Sequence, residues 1–194
     1  MLALSSMRFQ SRSVPVTLVS HPHTTARAIR SVEAAVSEAA QGGLSLAFAL
    51  QGDLSGLRIP ESQPPRRAGD LWRHTCFEAF VMAGEGPAYR EFNLSPSGAW
   101  AVHAFRRYRE GGELEVELDP ATVVRRSEGR LELDAEIGPE LLPPGRLLRL
   151  GLSAVLEAVD GTLSYWALWH PPGKPDFHHT DAFALRLELS ACAS

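Results

Sequence analysis

Alternation of hydrophobic and polar side chains is the feature of this sequence that most constrains its fold. Successive side chains of a β-strand point to opposite faces, so a period of two indicates a strand with one buried face. The ranges 114–119 and 131–136 each alternate aliphatic with acidic residues. Because 127–130 reads Ser-Glu-Gly-Arg, a typical turn composition, we predict that these two ranges pair as a hairpin.

The same pattern, bounded by turn residues, extends over most of the chain. About ten short strands predict an all-β fold, an antiparallel β-sandwich, and the length suits one domain spanning 1–194. The range 26–40 leaves helix and strand open, because its Ala and Glu content favours a helix while alternating residues would suit a hairpin with 44–50. The other predicted strands are 14–19, 44–51, 75–82, 89–94, 100–108, 147–159, 162–170 and 182–189.

Composition narrows the classes of partner. A formal net charge of -4 argues against the basic surface with which proteins neutralise nucleic-acid phosphates. The two cysteines, Cys76 and Cys192, form neither a disulfide framework nor a zinc motif, which indicates a reducing compartment. Arg8 and Arg12 interrupt the N-terminal apolar run, and no stretch approaches the ~18 apolar residues of a membrane span. We therefore expect a cytoplasmic protein whose partners include neither nucleic acid nor a membrane.

The segment 70–80 contains the first candidate functional residues. If its strand begins at Trp72, then Trp72, His74, Cys76 and Glu78 share one face. An ionised carboxylate among apolar neighbours costs several kcal/mol unless it is paired, hydrogen-bonded or open to a cleft. Two interpretations of Glu78 stay open: an internal ion pair that stabilises the sandwich, and a carboxylate that faces a ligand.

Three arginines further along the chain supply the expected partner. Arg106, Arg107 and Arg109 stand close together, and guanidinium groups suit bidentate pairing with a carboxylate. We predict that one of them pairs with Glu78 and lowers its pKa relative to that of an isolated buried acid. If this pair is purely structural, Glu78→Gln costs ~3 to 5 kcal/mol of stability. If the carboxylate is unpaired, the case for an acid catalyst becomes stronger.

A second candidate set lies in 89–100. Tyr89, Glu91 and Asn93 share a strand face under alternation, and Glu91 is a second carboxylate that needs a partner, for example Arg107. The range 95–98 reads Ser-Pro-Ser-Gly, a strong turn signal. The Asn93 side chain is therefore predicted to bond the turn backbone, with a ligand contact as the alternative.

Aromatic, histidine and proline residues are concentrated in 165–179. Loops that carry such residues more often bind something than loops that only reverse the chain. The two tryptophans have opposite parity, so one should face the core and the other should not. The candidate ligand contacts of this segment are Trp166, Trp169, His170, Lys174, Asp176 and His178.

No pattern predicts a metal or a cofactor. His170, Asp176, His178 and His179 are suitable ligand types, but they lack HExxH-like spacing, and adjacent histidines on a strand point apart. A CxxCH haem attachment motif is missing, although Met82 and a histidine could supply axial ligands. The sequence also lacks a GxSxG nucleophile elbow and a glycine-rich phosphate loop.

These three segments resemble a bacterial DOMON-like domain family, in the subgroup labelled as similar to UDP-N-acetylmuramate dehydrogenase. The resemblance is carried by LWRHTCFE at 71–78, YREFNLSPSGAW at 89–100 and HPPGKPDFH at 170–178. The wider superfamily includes family 9 carbohydrate-binding modules and cytochrome-type DOMON domains, and it implies an antiparallel β-sandwich that binds sugars or haem. The resemblance favours a strand at 26–40. It implies no dehydrogenase activity, because the chain has no flavin-binding pattern.

In family 9 modules two tryptophans clamp a sugar, while a carboxylate, an arginine and an amide hydrogen-bond its hydroxyls. By this resemblance Trp72 and Glu78 match one tryptophan and the carboxylate. We expect a non-catalytic module for a small polar ligand, a sugar, with no cofactor. The alternatives are an enzyme that uses Glu78 with a histidine as acid and base, and a haem-binding, cytochrome-like domain. The expected ligand-binding residues are Trp72, His74, Glu78, Glu91, Asn93, Arg107, Trp166, Trp169, His170, Lys174, Asp176 and His178.

Overall fold

The computed structural model describes residues 13–24, 28–116 and 120–190. These residues form thirteen β-strands and four short 3-10 helices, without an α-helix, so the all-β prediction is confirmed. The strands are β1 (Val14–Ser20), β2 (Ile29–Glu38), β3 (Leu44–Gly52), β4 (Arg66–Arg67), β5 (Cys76–Ala83), β6 (Tyr89–Leu94), β7 (Ala99–Arg107), β8 (Glu110–Glu113), β9 (Ala121–Ser127), β10 (Arg130–Ile137), β11 (Leu147–Glu157), β12 (Leu163–Ala167) and β13 (Leu185–Glu188). The 3-10 helices are Leu54–Gly56, Leu71–Arg73, Pro139–Leu141 and Thr180–Ala182.

Strand β1 links two sheets that pack face to face. Most of its length pairs with β2, and this first sheet continues through β3 and β10 to β9. Its last two residues, Val19 and Ser20, pair with β12, and the second sheet continues through β11, β5, β6 and β7 to β4. Strand β8 adds to β7, and β13 adds to β11. All these pairs are antiparallel except that of β4 with β7.

The core between the two sheets accounts for the alternation in the sequence. Val32, Phe48 and Leu133 of the first sheet belong to one buried cluster with Phe77 and Leu150 of the second. The rings of Phe48 and Phe77 stack between the sheets with centroids 5.0 Å apart. Burying an aliphatic or aromatic side chain of this size stabilises a fold by ~1.5 to 3 kcal/mol, which fixes the face of each strand that turns inward.

The range 26–40, for which helix and strand were both open, contains strand β2. It pairs with β3 from Ile29 opposite Gly52 to Glu38 opposite Leu44, so of the two alternatives the structure has the hairpin. Val32 and Val36 are fully buried on the core side of this strand. Their burial outweighs the helical propensity of the segment, which is a weak preference that tertiary context overrides.

One predicted hairpin has the wrong partner. Strand β10 covers the alternating range 131–136, but it pairs with β9 and not with 114–119. Residues 114–116 belong to no strand, and 117–119 lie outside the described residues. The predicted turn does connect β9 to β10. Sequence analysis did not predict strand β9, because this strand lies at the edge of its sheet. Only Thr122 and Val124 are half-buried there, so the alternation of hydrophobic and polar residues is weak.

The strand that carries Glu78 begins later than the alternation argument required. Strand β5 starts at Cys76, and Trp72 lies on the preceding 3-10 helix, Leu71–Arg73. Trp72 and His74 therefore do not belong to the strand face of Glu78, and their assignment to it by parity is wrong. The parity of Cys76 and Glu78 is confirmed, since both pair with residues on the same face of β11.

Cys76 is buried and unpaired, and Cys192 lies outside the described residues. Within the described ranges, no helix combines the length and the hydropathy needed to cross a lipid bilayer. The reducing, cytoplasmic compartment stays a prediction from the sequence.

Candidate functional site

The outer face of the second sheet carries a group of polar side chains. Strand register places Glu78 on β5 beside Ser153 on β11 and opposite Asn93 on β6. Two residues before Asn93, Glu91 pairs with His103 on β7. Since paired residues of neighbouring strands point to the same face, two acids, an amide and an imidazole collect on the side of the sheet that turns away from the core.

The loop between β12 and β13, residues 168–184, folds over this face. Phe177 and Phe183 lie against Phe80 of β5, with ring centroids 6.4 and 6.1 Å away. The ring of His178 meets Phe80 edge-on at 5.1 Å. Together with Tyr89, the three phenylalanines belong to a second apolar cluster outside the sandwich core. The loop therefore shields from water a sheet face that would otherwise be open.

Asp176 fixes this loop to the turn after β7. Its carboxylate accepts hydrogen bonds from Tyr108 Oη at 2.8 Å and from Arg109 Nη2 at 2.9 Å. It also accepts the backbone N–H of His178 at 3.1 Å. Burial alone would raise the pKa of Asp176, but the hydrogen bonds from Tyr108 and Arg109 and the charge of Arg109 hold it below its ordinary value.

A cleft of about 510 Å³ opens between the sheet and the loop. This volume lies within the roughly 300 to 1,000 Å³ that is usual for small-molecule sites. Its aromatic lining comprises Trp72, Phe80, Phe105, Tyr165 and Phe177. Its polar lining comprises Glu78, Glu91, His103, Arg109, Lys174 and His178.

Glu78 is the most deeply buried acid of the cleft, with 2% of its surface exposed. Its Oε2 accepts a hydrogen bond from Ser153 Oγ at 3.0 Å, and its Oε1 has no hydrogen-bond partner in the described part of the chain. Burial and the nearby charge of Glu91 raise the pKa of Glu78 to about 8, although the hydrogen bond from Ser153 opposes this rise. At neutral pH Glu78 is therefore protonated, and it can both donate and accept a hydrogen bond.

The predicted arginine partner of Glu78 is wrong, as is the predicted lowering of its pKa. Arg106 and Arg107 both bind Glu110 on β8, and Arg109 binds the loop carboxylate described above. Glu110 follows Arg106 and Arg107 by four and three residues, and the tight hairpin between β7 and β8 places it next to both of them. A local, solvent-accessible partner thus replaces one that lies two strands away across the sheet.

Glu91 is the second buried acid of the cleft, and it is better satisfied than Glu78. Its Oε1 accepts a hydrogen bond from Asn93 Nδ2 at 2.7 Å. Nε2 of His178 lies 3.7 Å from its Oε2, and Nδ1 of His103 lies 4.0 Å from its Oε1. Burial raises the pKa of Glu91, although the hydrogen bond from Asn93 and the charges of His103 and Arg109 oppose this effect.

Asn93 does not bond the turn backbone as predicted. Within the turn, Ser95 Oγ accepts the backbone N–H of Ser97, and Gly98 adopts a positive φ of 88°. Because the serine satisfies the turn, the amide of Asn93 is left to support Glu91. Asn93 is fully buried behind the cleft.

Tyr89 holds His178 in one orientation. The Tyr89 hydroxyl accepts the backbone N–H of Arg109 at 3.1 Å and lies 2.8 Å from Nδ1 of His178. When this hydroxyl donates its hydrogen to Nδ1, the neutral ring carries its proton on Nε2, the atom that faces Glu91. Burial and the charge of Arg109 lower the pKa of His178 to about 4, so the ring is neutral at pH 7.

Several of the residues predicted to bind a ligand meet at this cleft. Trp72 lies half-exposed at its mouth, and Lys174 is exposed at its rim without an ion pair in the described part of the chain. Asn93 and Asp176 lie behind the lining, where they hold other side chains in place. The predicted residues that line the cleft are Trp72, Glu78, Glu91, Lys174 and His178.

The two late tryptophans lie away from the cleft. Trp166 is buried within the sandwich core, where its Nε1 donates to Ser164 Oγ at 3.3 Å. Trp169 follows the end of β12 and packs against His179, with ring centroids 5.4 Å apart. One tryptophan therefore faces the core, as parity predicted. Trp169 lies beyond the end of β12, so strand parity does not apply to it.

The three remaining predicted residues have partners elsewhere. Nδ1 of His74 lies 2.8 Å from Oε2 of Glu157. Arg107 is exposed and bound to Glu110. Nε2 of His170 lies 2.9 Å from the backbone oxygen of Val19 on β1. None of the three lines the cleft in the structure.

Sequence analysis missed several lining residues. His103 and Phe105 alternate on β7, and a correct register for β6 and β7 would have placed them beside Glu91. Tyr165 reaches the face because β12 pairs with β11 in the second sheet. No local signal identifies Tyr165, since its position depends on a pairing between distant segments.

The lining suits recognition of a small polar molecule by ring faces and hydrogen bonds. Within the described residues there is no cluster of three or more histidine, cysteine or acidic side chains arranged to hold a metal ion. Chemistry at the cleft therefore has to be argued from the two carboxyl groups, the neutral His178 and the rings.

No protein-family model and no curated protein matches this chain. Among solved structures, a putative carbohydrate-binding protein from Bacteroides uniformis ATCC 8492 is 15% identical, with a TM-score of 0.62. The match covers 86% of this chain and 81% of that chain. The two proteins share a fold. The comparison of structures thus confirms the β-sandwich architecture independently of the sequence pattern.

A family 9 carbohydrate-binding module from Caldicellulosiruptor kristjanssonii also matches, in complex with cellotriose and in complex with glucose. Both matches are 8% identical and have a TM-score of 0.45. They cover 79% and 83% of this chain, and 69% and 73% of the matched chains. Likeness at this level is too remote to assign properties to this chain.

Proposed function

We propose that this protein binds a small polar ligand of the carbohydrate class in the cleft, without transforming it. The observation that carries the proposal is the combination of five aromatic rings with two buried carboxyl groups in one cavity. Sugars present apolar faces that pack on rings and hydroxyls that both donate and accept hydrogen bonds. The fold shared with a protein whose name refers to carbohydrate binding supports this proposal.

Each lining group has a definite role in this proposal. Trp72, 46% exposed at the mouth, offers a ring face that a sugar can cover. The carboxyl groups of Glu78 and Glu91 reach polar atoms of the ligand from the floor of the cleft. The anchored loop, which carries Phe177 and His178, forms the opposite wall. A preformed wall of this kind limits the loss of side-chain freedom on binding.

Isothermal titration calorimetry with a panel of mono- and disaccharides tests the proposal. We expect saturable binding of at least one sugar, and a loss of affinity of roughly fivefold or more in Trp72→Ala, because an aromatic face contributes ~1 kcal/mol or more. Trp169→Ala is the matched control, since Trp169 lies outside the cleft. Binding of no sugar, or equal losses in both variants, would contradict the proposal.

A second candidate function is an enzyme in which Glu78 acts as a general acid. The observation that favours it is the unpaired, protonated state of Glu78, because a carboxyl with a pKa near the working pH can transfer a proton. In this case Glu78→Gln abolishes turnover of a bound sugar derivative while affinity is retained. In the binding function, the wild-type protein leaves every bound sugar chemically unchanged over extended incubation, as judged by NMR.

Membership of the DOMON-like family is also part of the proposal. It is supported by the three sequence segments that resemble this family and by the β-sandwich fold. All three segments contribute to the cleft: 71–78 supplies Trp72 and Glu78, 89–100 supplies Glu91, and 170–178 supplies His178. The location of the protein in the cytoplasm is proposed on the sequence alone.

A further inference from the structure

The charges of the cleft do not balance. Two buried carboxyl groups, Glu78 and Glu91, lie on its floor. Of the two lining cations, Arg109 is bound to Asp176 at 2.9 Å. The other, Lys174, is exposed at the rim. No lysine or arginine in the described part of the chain forms an ion pair with either acid of the floor.

Burial of an acid without a cationic partner is expensive, and proteins seldom keep two such groups side by side. In this cleft Glu78 has one oxygen, Oε1, without any hydrogen-bond partner among the described residues, and the side chain lines the cavity. The acids are surrounded by ring faces, including Phe80, Phe105 and Tyr165. A cation is attracted both by carboxylates and by the negative face of an aromatic ring.

We propose that the ligand carries an ammonium group, which lies between Glu78 and Glu91 against the aromatic lining. Combined with the proposed carbohydrate-binding function, on which the sugar part of this inference rests, the ligand class is an amino sugar with a free amine. The ammonium supplies the positive charge that the chain itself does not place beside these acids. The hydroxyls of the same ligand are left for the remaining polar groups of the cleft.

The proposed ammonium site predicts that the protein releases a proton when the ligand binds. Glu78 faces Glu91 from β6, Ser153 from β11 and Tyr165 from β12, and none of these carries a positive charge. An ammonium beside Glu78 favours its ionised form and lowers its pKa, so that a carboxyl that is protonated in the free protein loses its proton when the ligand binds.

His178, which lies beside Glu91, adds no competing release. Glu91 is faced by Asn93, by His103 from β7, and by His178 and Arg109. His178 is already neutral at pH 7 because burial and the charge of Arg109 lower its pKa, and a nearby cation lowers that pKa further. A neutral ring has no proton to lose, so His178 does not contribute to proton release on binding.

Calorimetry with matched sugars tests the inference on the full chain. Glucosamine is compared with glucose and with N-acetylglucosamine, whose amine is blocked, at about pH 6.5, below the usual pKa of an amine of this kind. We expect glucosamine to bind about tenfold or more tightly than either neutral sugar. Titrations in two buffers with different ionisation enthalpies should show release of up to about one proton per bound glucosamine and none with glucose.

Two acid-to-amide variants locate the effect. Glu78→Gln should abolish proton release, and Glu91→Gln should reduce the preference for glucosamine over glucose. Glu128→Gln is the matched control, because Glu128 lies in the exposed turn between β9 and β10 on the other sheet. The proton count of the wild-type protein needs no variant, so the inference stays testable if a substitution impairs folding.

The possible outcomes separate this inference from the proposed function. Equal affinity for glucose and glucosamine, or tightest binding of glucuronate, overturns the ammonium site and leaves carbohydrate binding intact. If no sugar binds but tetramethylammonium binds with proton release, the cation site is upheld and the carbohydrate assignment fails. If neither sugars nor tetramethylammonium bind, both are overturned.

Discussion

Glu78 offers the most direct test of how this site is built, because its burial without a cation makes it a source of instability at neutral pH. Glu78→Gln keeps the size of the side chain, and the amide oxygen can still accept the hydrogen bond from Ser153 Oγ that Oε2 accepts at 3.0 Å. The substitution removes only the ability to ionise. We therefore expect the variant to be more stable than the wild-type protein at pH 7.

The sign and the size follow from proton linkage. The pKa of Glu78 is about 8 in the folded chain against an ordinary value of 4.5, so the folded state binds more protons and its stability falls as the pH rises from 4.5 to 8. At pH 7 the solution is about 2.5 pH units above the ordinary pKa, and at ~1.4 kcal/mol per unit the loss is about 3 kcal/mol. For a chain of this length that corresponds to roughly 6 to 12 °C in Tm.

Thermal denaturation followed by circular dichroism between pH 4.5 and pH 8 measures this effect. The two proteins should melt at similar temperatures near pH 4.5, and Glu78→Gln should gain over the wild type as the pH rises. Glu128→Gln makes the same substitution at an exposed turn and should follow the wild-type curve. A lower Tm for Glu78→Gln at pH 7 would refute the reasoning and would indicate a partner that stabilises the ionised acid, and a difference that does not depend on pH would refute the raised pKa of Glu78.

Three further outcomes are expected. Phe77→Ala should cost ~3 to 5 kcal/mol in chemical denaturation, because it leaves a cavity against Phe48 in the centre of the core; a cost under ~1 kcal/mol would contradict the stacking of the two sheets there. Gly98→Ala should destabilise by at least ~1 to 2 kcal/mol, since its φ is 88° and a Cβ would lie 2.6 Å from the backbone oxygen of Gln63; an unchanged melting curve would show that this turn relaxes freely. In an NMR titration, the ring of His178 should stay neutral until the pH approaches 4. The folded state keeps its full stability above the ordinary pKa of 6.5 and loses stability as the pH falls from 6.5 towards 4, because the unfolded chain then binds the proton more readily. A midpoint near 6.5 would place the ring in water.

The sequence by itself determined the fold class and the facing of individual strands. Alternation is a property of the backbone, because each residue of a strand turns its side chain to the opposite face, and a single buried side fixes the phase. For this reason Glu78 and Glu91 could each be assigned to one face of their strands before any pairing was known. In the range 26–40 alternation left helix and strand open, and burial of one face of β2 against the core decided for the strand.

Only the tertiary structure decided which side chains lie next to Glu78 and Glu91. Pairing of β5 with β6 and β11 sets Glu78 beside Ser153, and the hairpin after β7 diverts two of the three candidate arginines to Glu110. Trp72 reaches the cleft from a 3-10 helix to which strand parity does not apply. Register, loop path and the choice of ionic partner depend on contacts between residues far apart in the chain. A local period of two carries no information about such contacts, which is why the wall of the cleft was foreseen only in part and its charge balance was not foreseen at all.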